Sequence, residues 1–405
     1  MKWEIAKLGD ISKNIQTGPF GSQLHQSDYS ECGIPVVMPK DLVGGKISEE
    51  SIARVDKTHV ECLCRHKIEV GDILYSRRGD VGRCAHVTKK EEGWLCGTGC
   101  LRVTIDSEKA DSRFVFFQLQ HPDTVGWVEK HAVGATMLNL NTTILSSVPI
   151  RLPALEIQKR IADILSAYDD LIENNQKQIK LLEEAAQRLY KEWFVDLRFP
   201  GHENTKIVDG VPEGWNWCKL EDAIQFDPKV TLTKERMKQF IPMSALSTSS
   251  MVLDESQFTE TTSNSGSKFQ NGDTLLARIT PCLENGKTAY VSGLKSDEGA
   301  VGSTEYIVMR AKTINSYMVY LLARTDDFRQ SAINSMSGSD GRQRVKSDKL
   351  KMLDYLHPTR ELVEKFENVE EPIFEKIYRL SKQMQQAKQA RDLLLPKLMS
   401  GEVEV

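Results

Sequence analysis

The 405-residue sequence contains no apolar run of the roughly 18 residues that a membrane-spanning helix needs. Its first residues, MKWEIAKLGD, lack the basic and then apolar pattern of a secretory signal. Eight cysteines are scattered irregularly along the chain, which is typical of reduced thiols rather than of a disulfide scaffold. These absences predict a cytoplasmic protein with no membrane partner.

Metal-binding motifs are also scarce. The nearest approach to a zinc site is Cys62, Cys64 and His66 with Cys96 and Cys100. The paired C-x-x-C spacing of common zinc sites is missing, so free thiols are favoured and no metal ligand is predicted.

Catalytic motifs are lacking too. The segment NGKTAY at residues 285–290 looks like the end of a phosphate-binding loop, but Pro281 stands where that loop needs its first glycine. No glycine-rich cofactor loop follows a predicted strand, and no Ser/His/Asp or paired-acid arrangement occurs in both halves of the chain. The sequence therefore predicts a protein that is not itself an enzyme and that holds no cofactor.

Basic residues are not in excess, since 53 Lys and Arg face 57 Asp and Glu, giving a formal net charge of −4. This balance argues against a protein that binds nucleic acid by bulk charge alone. Local basic clusters or a basic partner remain open.

Residues 154–193 form a long stretch without glycine or proline. Their apolar side chains alternate at spacings of four and three, the heptad pattern of a helix that packs on another helix. Such a helix would extend roughly 60 Å, too far to fold back into one small core. An amphipathic helix lying on a single domain is the alternative. The apolar seam positions are Ile161, Leu165, Tyr168, Ile172, Ile179, Leu182, Ala186, Leu189 and Trp193.

The C-terminal segment repeats this seam 205 residues later, which predicts an antiparallel helix pair. Glu370 and Arg391 replace two apolar members, and Asn175 of the first helix faces an apolar register without an identified partner. Pro372 is predicted to start the main part of the second helix. The apolar members of the second seam are Phe366, Ile373, Ile377, Leu380, Met384, Ala387, Leu394 and Leu398.

The repeat extends beyond the helices. WEIAKLGD matches WNWCKLED, GDILYSR matches GDTLLAR, GRCAHV matches GKTAYV, and LSSVPIRLP matches LKMLDYLHP, with small drifts in spacing. The chain is therefore interpreted as globule, helix, globule, helix. The predicted boundaries are 1–153 for the first globule, 154–198 for the first long helix, 199–214 for a linker, 215–358 for the second globule and 359–405 for the second long helix.

Each globule shows short strand-like segments, then a hairpin, then a helical stretch. The fold class is therefore predicted as α+β: two repeated mixed α/β domains separated by two long helices packed as an antiparallel coiled coil. An approximate two-fold axis and globules at opposite ends of the helix pair are expected from the connectivity. The strand order cannot be derived from the sequence.

Both globules contain polar loops rich in hydrogen-bond donors at equivalent places. In QTGPFGSQLHQSDY the glycines permit close backbone approach, while the hairpins and the segments before the closing strand carry arginine, lysine or asparagine. A solvated surface turn is the alternative for any one residue. Unlike polar groups in two duplicated domains favour recognition of two different DNA half-sites. The candidate DNA-binding residues are Thr17, Gly18, Phe20, Gly21, Ser22, Gln23, Arg77, Arg78, Arg83, Asn139, Asn141, Arg278, Lys287, Arg342, Arg344 and Lys346.

The whole sequence resembles the specificity subunits of type I restriction–modification systems. The resemblance is strongest at TGPFGSQL, at EIQKRIADILSAYDDLIENN with the following LYKEWFVDLRFPG, at PEGWNWCKLED and at LLLPKLMSGEVEV. It implies a non-catalytic subunit whose two domains each recognise one half of a bipartite double-stranded DNA site. The two seams would then form the helix-pair and subunit interface.

The resemblance also implies partners and cofactors outside this chain. Two modification subunits would use S-adenosylmethionine to methylate adenine, and restriction subunits that use ATP and Mg would join them. The helix pair would fix the separation of the half-sites. A methyltransferase or nuclease fused into one chain and a coiled-coil adaptor that binds only proteins are the rival interpretations.

Overall fold

The computed structural model describes residues 3–21, 23–134, 138–296, 298–339 and 341–405. The chain divides into two compact units. The first unit consists of Met1–Leu171 with Gln386–Val405, and the second consists of Ile172–Gln385. Both long helices contribute residues to both units, so the helices do not form a domain of their own.

Among its described residues, the first globule contains short β-strands and short α-helices, followed by the first long helix. The strands are β1 (Glu4–Lys7), β2 (Ser12–Thr17), β3 (Tyr29–Ser30), β4 (Ile34–Val37), β5 (Leu42–Val43), β6 (Lys46–Ile47), β7 (Ala53–Val55), β8 (Ile73–Ser76), β9 (Cys84–His86), β10 (Leu95–Cys96), β11 (Cys100–Ile105) and β12 (Pro149–Leu152). The helices are α1 (Lys57–Cys62), α2 (Ser112–Gln120), α3 (Pro122–His131), α4 (Thr142–Ser146) and α5 (Leu155–Tyr190).

The second globule follows the same plan and ends in the second long helix. The strands are β13 (Ile207–Val208), β14 (Val211–Pro212), β15 (Asn216–Lys219), β16 (Ile224–Phe226), β17 (Lys238–Ile241), β18 (Thr259–Thr261), β19 (Ser267–Phe269), β20 (Thr274–Ala277), β21 (Thr288–Tyr290), β22 (Ala300–Gly302), β23 (Tyr306–Ala311) and β24 (Asp354–His357). The helices are α6 (Leu220–Ala223), α7 (Ser316–Ala323), α8 (Asp326–Asn334), α9 (Ser347–Lys351) and α10 (Arg360–Ser400).

The sheets of the two units have equivalent topologies. An antiparallel sheet of order β2-β11-β8-β9 in the first unit corresponds to β16-β23-β20-β21 in the second. A second sheet contains a parallel pair in each unit, β4 with β10 and β17 with β22. In addition, β1 pairs with β12 in the first unit, and β15 pairs with β24 in the second. The predicted α+β class, hairpins and duplication are therefore confirmed.

One buried aspartate anchors the start of the hairpin in each unit. Asp72 lies just before β8 and accepts a hydrogen bond of 2.5 Å from the Thr104 hydroxyl, with Arg102 nearby at 3.7 Å. Asp273 lies just before β20 and accepts two hydrogen bonds from Arg310, at 2.6 and 2.7 Å. A buried carboxylate needs such partners, so the repeated Gly-Asp sequence has a structural cause.

In the first unit, segments of α5 and α10 pack antiparallel. The Arg391 guanidinium donates to Asp169 at 2.6 Å. Farther from this ion pair, Ile161 and Leu165 share an apolar cluster with Leu398. Residue numbers therefore decrease along α10 in the direction in which they increase along α5, as they do in an antiparallel pair.

In the second unit the same two helices again pack antiparallel. The Asn175 amide nitrogen donates to the Gln383 side-chain oxygen at 3.2 Å, which supplies the partner that the sequence left open. At the other end, the ring centroids of Trp193 and Phe366 are 5.4 Å apart. Every predicted apolar seam position of both helices is buried or half-buried.

The predicted start of the second long helix at Pro372 is wrong. Helix α10 begins at Arg360 and continues through Pro372 without interruption. Leu362, Val363 and Phe366, all within its first turns, are buried in the core of the second unit. This burial offsets the loss of the hydrogen bond that proline cannot make.

Residues 199–214, predicted as a linker, contain the short hairpin of β13 and β14. Asp209 and Gly210 both have positive φ in its turn, as a tight hairpin requires. Phe199 packs on Trp215 with ring centroids 5.2 Å apart. The segment is therefore a packed element of the second unit.

Among the described residues, no helix combines the length and the apolar character that crossing a membrane requires.

Candidate nucleic-acid interface

The loop that follows β2 is held by a close backbone approach. Gly18 donates its backbone N–H to Cys100 at 3.0 Å, and a Cβ at this position would lie 2.0 Å from the Gly97 carbonyl oxygen. Glycine is therefore the residue that fits there, directly after Thr17 at the end of β2. Gly18 therefore shapes the loop through its backbone.

The tip of this loop is closed by Gln23. Its backbone N–H donates to the Phe20 carbonyl at 2.7 Å, and its side-chain oxygen accepts from the Phe20 N–H at 3.2 Å. Phe20 is 52% exposed, and Gly21 is exposed beside it. Ser22 lies outside the described residues.

Arg77 joins this loop to the segment before α4. Its guanidinium carbon lies 5.5 Å from the centroid of the Phe20 ring, within the range of a cation–π contact. Its Nε donates to the Leu140 carbonyl at 3.3 Å. The exposed Phe20 ring and a half-buried guanidinium are thus presented together.

Arg78 and Asn139 lie next to Arg77 because their backbones form a bridge. The Arg78 side chain is exposed, whereas the Asn139 side-chain oxygen is buried and has no hydrogen-bond partner in the described part of the chain. We call Phe20, Arg77, Arg78 and Asn139 the first loop cluster. It offers positive charge, an aromatic face and an amide at one place.

Two further candidates of the first unit have local partners. Asn141 caps α4, since its side-chain oxygen accepts from the Ile144 N–H at 2.8 Å. Arg83 donates to Asp80 at 2.6 Å, in an exposed ion pair. Both remain at the surface with free donors, but neither is an unpaired group.

Arg278 of the second unit occupies the place of Arg77. Its backbone N–H donates to Glu305 and its carbonyl accepts from Val345, just as the Arg77 backbone pairs with Gly99 and Leu140. The Arg278 Nε is buried and lacks a hydrogen-bond partner among the described residues. The two arginines therefore make equivalent backbone hydrogen bonds, but the residues around them differ between the units.

Arg344 forms a bidentate ion pair with Glu305. Its Nη2 donates to one carboxylate oxygen at 2.7 Å, and its Nε lies 2.9 and 3.0 Å from the two oxygens. The hydrogen bonds from Arg344 lower the pKa of Glu305, so its carboxylate is charged at neutral pH. We call Arg278, Glu305 and Arg344 the second loop cluster.

The remaining candidates of the second unit differ in availability. Lys287 donates its ammonium group to the Met243 carbonyl at 2.9 Å, so it holds a loop of its own unit. Arg342 is exposed, and Lys346 is exposed at the residue that precedes α9, in the place of Asn141. Arg278 and Arg344 therefore lie close together, whereas the Lys287 ammonium group is bound to the Met243 carbonyl.

Glu305 was missed by the sequence analysis. Tyr306 lies opposite Ala277 as Cys100 lies opposite Ser76, so GSTEY at residues 302–306 corresponds to CGTGC at residues 96–100, and Glu305 stands where the first unit has Gly99. An acid beside two arginines becomes visible only when the strands are paired.

The cysteines do not assemble with His66. Cys62 and Cys64 are exposed, whereas Cys96 and Cys100 are buried, and burial raises the pKa of the Cys96 thiol to about 12. In the described ranges, no group of three or more His, Cys, Asp or Glu side chains is arranged to hold a metal ion.

Comparisons with known proteins agree on one family. Residues 1–184 match the type I restriction modification DNA specificity domain. The MjaIX specificity subunit of Methanocaldococcus jannaschii is 26% identical over 416 residues, covering 100% of this chain and 94% of that protein. The EcoAI specificity subunit of Escherichia coli is 35% identical over 140 residues, which cover 33% of this chain and 24% of that protein.

A solved structure has the same fold. The type I restriction–modification S subunit from M. genitalium matches with a TM-score of 0.64 at 16% identity, covering 98% of this chain and 96% of that chain. The relatives carry the name of specificity subunits of type I restriction enzymes. Residues 1–184 therefore match a type I restriction modification DNA specificity domain, and the chain as a whole is similar to type I restriction enzyme specificity subunits.

Proposed function

We propose that this chain is the non-catalytic DNA specificity subunit of a type I restriction–modification complex, with each unit recognising one half of a bipartite site. The observation that carries this proposal is the combination of one shared topology with two unlike loop clusters. A duplicated scaffold with different polar groups in equivalent loops is suited to two different half-sites.

The helix pair is proposed to set the spacer and to bind partners. At the usual rise per residue, the 36 residues of α5 extend about 54 Å, comparable with about 16 base pairs of DNA. Two modification subunits would bind along these helices, and restriction subunits would join them. S-adenosylmethionine, ATP and Mg belong to those subunits in this proposal, and the complex works in the cytoplasm.

The net charge of −4 is consistent with a chain that recognises bases while its partner subunits neutralise the DNA phosphates. If the modification subunits neutralise most phosphate charge, DNA affinity of the complete complex falls steeply with salt, whereas the isolated chain binds weakly. Comparable tight binding by the isolated chain would contradict this part of the proposal.

The function is tested by exchanging one recognition domain. The methylated motif of the host genome is mapped for the native chain and for a chain whose residues 1–153 come from another family member. We expect one half-site to change while the other half and the spacer stay, because each unit has its own loop cluster. Change in both half-sites, or in neither, would refute the assignment of one unit to one half-site.

A further inference from the structure

We propose that Glu305 positions Arg344 as the side chain that recognises a guanine in the half-site of the second unit. This inference rests on the proposed function and deepens it, since it assigns a role to an acid that the sequence analysis did not select.

The ion pair leaves the end of the guanidinium free. Glu305 engages Nε and one N–H of Nη2 on one edge of Arg344. Three of the five N–H donors remain, and a single weak contact of 3.5 Å joins Nη1 to the Arg342 carbonyl. The free Nη1 and Nη2 donors form the fork that matches the O6 and N7 acceptors of guanine.

The guanidinium is also accessible. The Arg344 side chain is 42% exposed, whereas the Glu305 side chain is 25% exposed. The acid is therefore the less exposed partner of the ion pair, and the arginine is the more accessible one. A long side chain fixed in this way loses less conformational freedom when it binds a base.

The backbone holds both partners of the pair. Arg344 exchanges two hydrogen bonds with Ser337, at 2.9 and 3.0 Å. The backbone of Arg278 bonds to Glu305 on one side and to Val345 on the other. Glu305 and Arg344 are thus anchored to the same short ladder, which fixes the geometry of the ion pair.

In the first unit the equivalent backbone bridge forms without an ion pair. There Gly99 replaces Glu305 and Asn139 replaces Arg344, yet Asn139 exchanges the same two backbone hydrogen bonds with Val133. The second unit therefore differs from the first by an acid at one of these positions and a base at the other. Because the equivalent backbone bridge forms in the first unit without an ion pair, we assign the pair to recognition.

The experiment uses the full chain in complex with its modification subunits and a pool of duplex DNA with randomised positions. Molecules that the complex methylates are sequenced, which gives the base preference at each position of both half-sites. Arg344→Ala should reduce the preference for guanine at one position of one half-site by about 5- to 150-fold. Glu305→Gln should reduce the preference at that same position by about fivefold or more.

Glu255→Gln is the matched control, because Glu255 forms a 2.6 Å ion pair with Lys382 in the same unit. It should leave every position unchanged. Arg342→Ala removes an exposed neighbouring cation and should weaken DNA binding to the same extent for all sequences. A position-specific effect of Arg342→Ala in place of Arg344→Ala would overturn the inference.

Three results with Glu305→Gln would also overturn it. They are no change in base preference, a uniform gain in affinity, or a uniform loss accompanied by a lower unfolding temperature of the chain. Failure of the native complex to select any bipartite motif would instead refute the proposed function. The two failures are therefore distinguishable in one experiment.

Discussion

Glu370 is a carboxylic acid at a seam position where the first helix has Leu165. Both side-chain oxygens are buried, and neither has a hydrogen-bond partner among the described residues. Burial raises the pKa of Glu370 to about 7 from an ordinary value of 4.5. A carboxylic acid whose pKa rises on folding destabilises the folded state only when it is ionised in the unfolded chain. The free energy of unfolding is therefore expected to fall as the pH rises from about 4.5 to about 7.

We predict that Glu370→Leu stabilises the chain more at pH 8 than at pH 5, by about 2.5 kcal/mol, because the charge no longer has to be buried. Urea unfolding of the full chain from pH 5 to pH 8 measures the difference. Glu370→Gln should remove the same pH dependence without the apolar gain. The exposed Glu367→Gln is the control, and equal pH dependence of Glu370→Gln and the native chain would contradict the prediction.

Single residues show where sequence reasoning ends. Gly18 and the apolar seam followed from local spacing and residue type, which sequence carries directly. Lys287 and Arg344 were identified as cations, but their partners Met243 and Glu305 lie 44 and 39 residues away. Whether a basic side chain is free or paired depends on such long-range contacts, so local sequence cannot decide it.

At the scale of elements, the hairpins and long helices were predictable, whereas strand order and helix ends were not. Periodicity specifies an element because it reflects which face is buried. Pairing of β2 with β11 depends on packing of distant segments, and the start of α10 depends on Leu362 and Phe366 reaching the core before Pro372. Proline usually begins or ends a helix, but burial of the residues before Pro372 keeps α10 continuous through it.

The polar pair in the helix seam gives a prediction at this scale. Asn175 is 2% exposed and donates to Gln383, which is itself at the surface. Gln383→Ala should destabilise the second unit by about 1–3 kcal/mol, since it leaves a buried amide unpaired. Denaturant unfolding of the full chain measures this loss.

The controls for this pair separate burial from helix propensity. Gln386→Ala changes an exposed glutamine of the same helix and should alter stability by less than about 0.5 kcal/mol. Combining Gln383→Ala with Asn175→Leu should restore the lost stability, because no buried amide then remains. An equal loss in both single glutamine variants would rule out the hydrogen bond as the cause.

At the scale of the whole molecule, duplication was the most informative property of the sequence. Repeated motifs such as GDILYSR and GDTLLAR lie at equivalent strands, so the shared plan of both units was visible before any contact was known. The loop clusters diverged at Gly99 and Glu305, and at Asn139 and Arg344. The repeated motifs therefore predict the strands that the two units share. They do not predict the loop residues at which the units differ.

If the helix pair sets the spacer, its length should be readable in the DNA motif. We predict that one heptad inserted between Leu171 and Ile172, with another between Gln385 and Gln386, lengthens the spacer by about three base pairs. Seven residues preserve the seam on both helices, so packing is retained while about 10 Å is added.

Mapping the methylated motif of the complex checks this expectation, and both half-site sequences should stay the same. A heptad inserted in one helix is the control, because it puts the two seams out of register and should abolish methylation. An unchanged spacer in a complex that still methylates its sites would show that another element sets the distance. A longer spacer with intact half-sites would assign distance to the helices and base recognition to the loop clusters, as separable properties of one chain.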